Sequence, residues 1–165
     1  MSDTDPILHG ERVTLRPLTD HDVAPLNAII ALPEVRRWWG TDPTVDDQDA
    51  FTIVVDDEVA GWLGWYEEDE PDYRHGGLDI FLAPKFHGRG LGREALRLAA
   101  DWLINTRGHH RLIIDPAAAN THAIKTYASL GFKPVGVMRR YERGPDGSWH
   151  DGLLMDLLAE ELSPS

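Results

Sequence analysis

The pattern of hydrophobic and polar positions along the chain predicts an alternation of strands and helices. Residues 13–16 alternate between apolar and polar side chains, which is typical of a half-buried strand. Thr19 stands just before acidic residues, so we expect it to be the N-cap of a first helix. A second, short helix is predicted over residues 32–39, with Gly40 as its stop.

The rest of the chain contains further strands and two longer helices. Apolar runs predict strands, and apolar positions three or four residues apart predict helices. We expect strands over residues 51–55, 58–66, 78–82, 111–114, 135–141 and 153–158, and helices over residues 91–102 and 120–130. The order β-α-α-β-β-β-α-β-α-β-β predicts an α/β fold (an α+β mixed sheet) with one sheet flanked by helices.

Length and composition limit this picture further. The chain has 165 residues, of which 42% are hydrophobic, so we expect a single domain over residues 1–165 with a substantial core. The lack of cysteine excludes disulfides, thiolate nucleophiles and thiolate metal sites. We see neither a secretory signal nor an apolar run of membrane-spanning length, and we expect a cytoplasmic protein without a membrane partner.

The chain is strongly acidic, with a formal net charge of −12 and a pI near 4.9. Such a charge repels nucleic acid phosphates and attracts cations, so we expect no nucleic-acid partner. Two interpretations stay open, namely solubility and a polycationic amine substrate. The acidic runs Glu67-Glu68-Asp69-Glu70 and Asp46-Asp47 are compatible with both.

The segment His87-Gly88-Arg89-Gly90-Leu91-Gly92-Arg93 follows a predicted strand and opens a predicted helix. Its glycines allow a tight turn and a close approach of a ligand, and the free N–H groups at a helix start favour an anion. No Gly-Lys-Ser/Thr sequence closes the segment as in a P-loop, and several strands precede it, unlike in a dinucleotide-binding fold. We therefore predict a pyrophosphate site, the alternative being a turn without a ligand.

This segment resembles the motif Gln/Arg-x-x-Gly-x-Gly/Ala of the GNAT superfamily of N-acetyltransferases. Residues 120–132 are similar to the family segment Asn-x-x-Ala-x-x-x-Tyr-x-x-x-Gly-Phe, and the resemblance as a whole covers residues 12–158. It implies the GNAT fold, a central twisted and mostly antiparallel sheet flanked by helices. It also implies an acetyl-CoA-dependent N-acetyltransferase that uses no metal. His87 departs from the motif, which usually has Gln or Arg there.

The resemblance implies a coenzyme A site built from the Gly-rich turn, the strand before it and the helix after residue 120. In the family that strand is bulged, and its backbone stabilises the oxyanion. The implied cofactor-binding residues are Ile80, Phe81, Leu82, His87, Gly88, Arg89, Gly90, Leu91, Gly92, Arg93, Asn120, Ala123, Lys125 and Tyr127. Asn120 is also a good N-cap, and the two roles can coexist.

Asp79 and Tyr127 are the candidate catalytic residues. The substrate amine itself would attack the thioester, so the protein has to position and deprotonate it. Asp79 lies within an apolar strand, where partial burial would raise the pKa of its carboxyl toward a value suited to a base. The alternative is a hydrogen-bonded structural Asp. By resemblance Tyr127 protonates the leaving thiolate, and its alternative is core packing.

Several stretches resemble the aminoglycoside 6'-N-acetyltransferases, namely residues 16–22, 35–40, 77–83 and 115–116. This resemblance implies that Trp38 or Trp39 walls the sugar site. Because adjacent residues on a helix face different ways, we expect one of the two in the core. The remaining implied substrate-binding residues are Asp79, Asp115 and a late acid, Asp151 or Asp146.

Other functions stay open at this point. Residues 11–18 are also similar to the ribosomal-protein N-terminal acetyltransferases. A lysine or siderophore N-acyltransferase and a non-catalytic acyl-CoA-binding sensor domain are further alternatives. We expect a monomer or a homodimer, and we expect His109, His110 and His150 at the surface rather than at a metal.

Overall fold

The computed structural model of the chain describes residues 6–45 and 49–165, so the paired acids Asp46-Asp47 lie outside the described residues. In chain order the elements are β1 (Leu8–His9), β2 (Thr14–Pro17), α1 (Asp20–Ile30), α2 (Pro33–Arg36), β3 (Ala50–Val55), β4 (Glu58–Glu68), β5 (His75–Leu82), α3 (Leu91–Asp101), β6 (Arg111–Ile114), α4 (Thr121–Leu130), β7 (Lys133–Arg143) and β8 (Trp149–Leu158). A π-helical turn, Trp102–Thr106, continues α3.

The described strands form one sheet in the order β1-β2-β3-β4-β5-β6-β8-β7. Neighbouring strands are antiparallel except β5 and β6, which are parallel. β5 pairs with β4 along its whole length but with β6 only at Gly76 and Gly77. Beyond Gly77 the sheet therefore opens between β5 and β6.

Side chains alternate between the two faces of each strand, and helices pack against both faces of this sheet. On β4, Trp65 packs against Trp102 next to α3. Trp62, three residues earlier and so on the opposite face, packs against Trp39 after α2. The predicted mixed α/β fold with a mostly antiparallel sheet is confirmed. Within residues 6–45 and 49–165, no helix has the length and apolar character needed to span a bilayer.

The predicted elements occur in the predicted order, but a strand that was not predicted, β1, precedes them, and the other differences lie at element ends. The helix predicted over residues 32–39 ends at Arg36. After it, the N–H groups of Trp38 and Trp39 bond to carbonyl oxygens three residues back, at 3.1 and 2.9 Å, so the chain tightens into turns before it reaches Gly40. β1 is too short to leave a periodic pattern, and two register shifts let β7 run longer than predicted.

A buried ion pair ties α1 to the sheet. The Asp22 side chain is 4% exposed and accepts hydrogen bonds from Arg16 Nη1 at 2.6 Å and Thr52 Oγ1 at 2.8 Å. Burial acts to raise the pKa of Asp22, but the hydrogen bonds from Arg16, Thr19 and Thr52 outweigh it, and the pKa lies well below its usual range. The pair therefore stabilises the fold above the unfolded-state pKa of Asp and loses this contribution as the pH falls.

Replacing Asp22 by Asn is expected to lower the free energy of unfolding by about 2 kcal/mol at pH 7, because Arg16 loses its counter-charge. Urea unfolding followed by circular dichroism measures the difference. Asp20→Asn, an exposed acid in the same helical turn, is the matched control and should change stability by less than about 0.5 kcal/mol. Equal effects of the two substitutions would show that the ion pair contributes nothing specific.

Candidate active site

A cavity of about 790 Å³, here called the groove, lies between β5, the Gly-rich turn and α4. Most of the residues predicted to bind a cofactor line it, namely Ile80, Phe81, Leu82, His87, Gly88, Gly90, Leu91, Gly92, Arg93, Asn120, Ala123 and Tyr127. Arg89 and Lys125 are exposed and do not line it. Sequence reasoning missed Thr121, His122 and Thr126, which α4 also presents to the groove.

Two glycines give the Gly-rich turn its shape. Gly88 has a φ of 74° and Gly90 a φ of 73°, a left-handed conformation that other residues rarely adopt. In the described chain no atom lies within 4 Å of the place that a Cβ on Gly88 would occupy, so the backbone is open on that side. α3 begins at Leu91, and the N–H groups of its first turn have no helical partner. The turn can therefore receive an anion.

Two side chains brace the turn from outside. Arg12 donates from Nη1 to the carbonyl oxygen of Arg89 at 2.6 Å and from Nε to Glu94 at 3.0 Å. His87, the residue that departs from the family motif, donates from Nε2 to the carbonyl oxygen of Leu82 at 2.8 Å. The imidazole is thus bonded back to β5 and fixes the start of the turn.

The guanidinium of Arg93 has structural partners. Its Nε donates to Ser129 Oγ at 3.0 Å, and its Nη2 donates to the carbonyl oxygen of Ser165 at 2.8 Å. These bonds fasten α3 to α4 and to the last residue of the chain. The backbone N–H of Arg93, in the first turn of α3, is then the group of this residue best suited to an anion in the groove.

α4 brings its polar groups to the groove by ordinary helix capping. The carboxamide Oδ1 of Asn120 accepts a hydrogen bond from the N–H of Ala123 at 3.3 Å, which confirms the predicted N-cap. Gly131, with a φ of 116°, ends the helix as predicted. Tyr127 lies between these caps, is 6% exposed and lines the groove.

A second cavity of about 390 Å³, here called the acidic cavity, is built on one face of the β4–β5 pair. Gly64 lies directly across from Asp79, and Tyr66 lies across from Gly77. A Cβ on Gly64 would come within 2.2 Å of the Trp62 ring, and one on Gly77 within 2.0 Å of the Tyr66 ring, so these rings lie over the glycines. The Asp79 side chain therefore stands between two aromatic walls.

The walls of the acidic cavity set the protonation of Asp79. The side chain is exposed to solvent within the cavity, yet the surrounding protein displaces most of the bulk water that would stabilise its charge. This desolvation, with the negative charges of Asp115 and Glu142, raises the pKa of Asp79 to about 7. A hydrogen bond from the N–H of Ile80 at 3.0 Å acts in the opposite direction. A carboxyl of this pKa can exchange a proton near neutral pH.

Two phenols near Asp79 and Asp115 keep their protons. Burial, followed by the charges of Asp79 and Asp115, raises the pKa of Tyr127. Tyr141 donates a short hydrogen bond from its hydroxyl to Asp115 Oδ2, and this bond is the main cause of the raised pKa of Tyr141. Both hydroxyls are therefore available as hydrogen-bond or proton donors at neutral pH. Tyr66, Tyr141 and Glu142 were missed by sequence reasoning because none stands in a recognisable motif.

A third cavity of about 990 Å³, here called the wide cavity, lies between α2 and the β7–β8 hairpin. Its lining includes Trp38 and Asp151, two of the candidate substrate-binding residues, together with Glu142, Asp146 and the 60% exposed Trp149. It adjoins the groove, with which it shares Arg37, Trp38 and Ala119. Asp151 also accepts a hydrogen bond from the N–H of Arg140 at 2.8 Å.

The adjacent tryptophans separate as predicted. Trp38 borders the wide cavity and the groove, and Arg37 stacks on its ring at 4.4 Å. Trp39 packs edge-on against Trp62 and Phe81 and belongs to the margin of the hydrophobic core.

Two expectations are wrong. His109 is 1% exposed rather than at the surface, and it pairs with Glu67, which also pairs with Arg107. Glu67 therefore lies in a packed ion cluster and not in a solvated loop. The strand before the Gly-rich turn, expected to be bulged, pairs with β4 without any register shift, and only its separation from β6 exposes its backbone.

Comparisons with known proteins show which family the chain belongs to. A family model described as an acetyltransferase (GNAT) domain matches residues 12–133. The aminoglycoside N(6')-acetyltransferase type 1 of Klebsiella pneumoniae is 29% identical, with 84% of this chain and 80% of that protein covered. The spermidine N(1)-acetyltransferase of Escherichia coli is 26% identical, with 92% and 91% covered.

Among solved structures, Mycobacterium smegmatis RimJ in complex with CoA-disulfide has the same fold. It superposes with a TM-score of 0.81 over 93% of this chain and 85% of that one, at 24% identity. Since the family model covers most of the chain and the folds agree, the protein belongs to the GNAT family of acetyltransferases.

Proposed function

We propose that the protein transfers an acetyl group from acetyl-CoA to a primary amine of a polycationic small molecule, and that the 6'-amine of aminoglycosides is its preferred acceptor. The observation that carries this proposal is the carboxyl of Asp79, whose pKa of about 7 suits a general base. It stands beside an acidic cavity that attracts an ammonium group.

The groove suits coenzyme A. The open backbone at Gly88 and the first turn of α3 would hold the pyrophosphate. Asn120 and the α4 residues lining the groove would hold the pantetheine arm. When bound, acetyl-CoA supplies the activated acetyl group, and its C–S bond is exchanged for a C–N bond to the acceptor. The remaining chemistry falls to the protein.

Two residues of the protein would move protons in this reaction. Asp79 takes one proton from the acceptor ammonium and so frees the nitrogen lone pair for attack. Tyr127, whose raised pKa keeps its hydroxyl protonated, donates a proton to the sulfur as the thiol leaves. The second proton of the nitrogen, lost as the amide forms, restores the Tyr127 hydroxyl through solvent, and Asp79 releases its proton to water. Asp79 lines the acidic cavity and Tyr127 lines the groove, and the two side chains are near enough for the charge of Asp79 to help raise the pKa of Tyr127.

The acceptor preference rests on charge and on shape. Asp79 and Asp115 in the acidic cavity and Asp151 in the wide cavity suit a molecule with several ammonium groups. The indole of Trp38 at the wide cavity suits the face of a sugar ring or a cation. The resemblance to an aminoglycoside N(6')-acetyltransferase supports a sugar amine over a linear polyamine.

Thiol release from acetyl-CoA, measured against a panel of amines, tests the proposal. The panel holds kanamycin, tobramycin, spermidine, a lysine derivative and peptides that begin with Ser or Ala. We expect efficient release with the aminoglycosides and a product acetylated at the 6'-amine. Release only with spermidine, peptide or lysine would move the function to that amine class. Coenzyme binding without release on any amine would favour an acyl-CoA-binding sensor.

The substitution Tyr127→Phe should lower kcat about tenfold and leave the Kd of acetyl-CoA almost unchanged. The effect is smaller than the roughly 100-fold or more typical of a general acid because a thiolate leaves readily near neutral pH. Steady-state kinetics and calorimetric binding separate the two quantities. An unchanged kcat would return Tyr127 to a packing role.

A further inference from the structure

Three aromatic rings meet at the boundary between the groove and the acidic cavity. The ring centroids of Trp39 and Trp62 are 5.5 Å apart, those of Trp39 and Phe81 are 5.5 Å apart, and Trp62 stacks on Phe81 at 5.7 Å. Trp39 and Phe81 line the groove, whereas Trp62 lines the acidic cavity. We call these three residues the aromatic cluster.

The Trp62 ring has little freedom to move. It lies over Gly64, where even a single added carbon would be only 2.2 Å from the ring. On its other sides it meets Phe81 face to face and Trp39 edge to face. Phe81 itself is 5% exposed and anchored in the core. Interlocked rings of this kind resist displacement because a shift of one opens a void or a clash at the next.

The position of the aromatic cluster relates it to the acyl group. On β5, Phe81 follows Asp79 by two residues on the same face and lies on the side of the Gly-rich turn. The coenzyme is anchored at that turn, and the attacking amine lies beside Asp79. The acyl carbon between them therefore has to lie next to the aromatic cluster. Any further methylene on the acyl chain would then meet an aromatic ring.

We propose that the aromatic cluster restricts the acyl donor to acetyl-CoA, with Trp62 as the residue that sets the limit. This inference rests on the proposed function, since it needs coenzyme A in the groove. It adds selection by acyl-chain length to the proposed function. The cluster excludes propionyl and longer chains by shape, and Gly64 is required because it leaves room for the Trp62 ring.

Calorimetric binding of CoA, acetyl-CoA, propionyl-CoA and butyryl-CoA to the wild-type protein tests the limit without any acceptor amine. We expect acetyl-CoA to bind at least about tenfold more tightly than propionyl-CoA, the scale of one methylene in a tight pocket. Trp62→Ala should bring propionyl-CoA and butyryl-CoA to within about threefold of acetyl-CoA. Trp62→Leu is the smaller change and should improve the binding of propionyl-CoA more than that of butyryl-CoA.

A truncated exposed ring is the matched control. Tyr73 is 75% exposed in the turn between β4 and β5, and Tyr73→Ala should keep the wild-type order of affinities. Equal wild-type affinity for the three acyl-CoAs would overturn the inference, as would undiminished discrimination in folded Trp62→Ala or Trp62→Leu. Failure of the wild type to bind CoA itself would instead overturn the proposed function, so the two failures are distinguishable.

Discussion

Replacing Asp79 by Asn is expected to lower kcat at pH 7 about 1000-fold, within the range that a general base contributes. Asn has the size of Asp and can still accept the hydrogen bond from the N–H of Ile80, so the strand should keep its geometry. Asp79 is not among the residues that line the groove, where we propose that acetyl-CoA binds, so the Kd of acetyl-CoA should change by less than about threefold. Stopped-flow or steady-state assays of thiol release measure kcat, and calorimetry measures the Kd of acetyl-CoA.

The pH profile distinguishes a base from a structural carboxylate. In the wild type, kcat/KM should rise with pH until the carboxyl of Asp79 is deprotonated, near pH 7, and should then level off. In Asp79→Asn this rise should disappear because no proton is lost from residue 79. A parallel rise in both proteins, or near-normal turnover of the variant, would show that another group is the base.

The same substitution should stabilise the fold at alkaline pH. The folded-state pKa of Asp79, about 7, lies above its unfolded value near 3.9, so the folded protein binds more protons between these values. Wild-type stability therefore falls as the pH rises through this window, and Asp79→Asn should escape that loss. Melting temperatures should be equal at pH 4 and higher for the variant at pH 8. The opposite order would contradict the desolvation of Asp79.

Local signals account for what the sequence predicts correctly. The conformation of the turn at Gly88 and Gly90, the cap at Asn120 and the stop at Gly131 depend on neighbouring residues alone. The Gly-rich segment 87–93 and the segment 120–132 are local in the same sense, since each occupies one turn and one helix. The shape of the groove, where we propose that coenzyme A binds, therefore follows largely from local sequence.

Long-range pairing accounts for what sequence reasoning missed. The place of Tyr66 beside Asp79 depends on the register of β4 against β5, which no short segment specifies. The bond from Tyr141 to Asp115 joins residues 26 positions apart across β6 and β7. His109 follows polar residues and gives no pattern of burial, because its partner Glu67 comes from the distant strand β4.

Placing Asp at position 88 is expected to weaken acetyl-CoA binding about 100-fold. At Gly88 the described chain leaves space for a side chain, so Gly88→Asp should not clash with the protein itself. It would instead put a carboxylate where the groove is expected to hold the pyrophosphate, and two like charges at such a distance cost several kcal/mol. Calorimetric titration with acetyl-CoA gives the change in Kd.

Gly108→Asp separates this repulsion from backbone strain. Gly108 has a φ of 78°, close to the 74° of Gly88, and there too the described residues offer no atom within 4 Å of an added Cβ. Both substitutions therefore add one negative charge and one strained residue, but only Gly88 lines the groove. Comparable melting temperatures with a selective loss of coenzyme affinity at position 88 would locate the pyrophosphate at the turn. Equal affinities of the two variants would place the phosphate site elsewhere, because strain and net charge are matched and only the position differs.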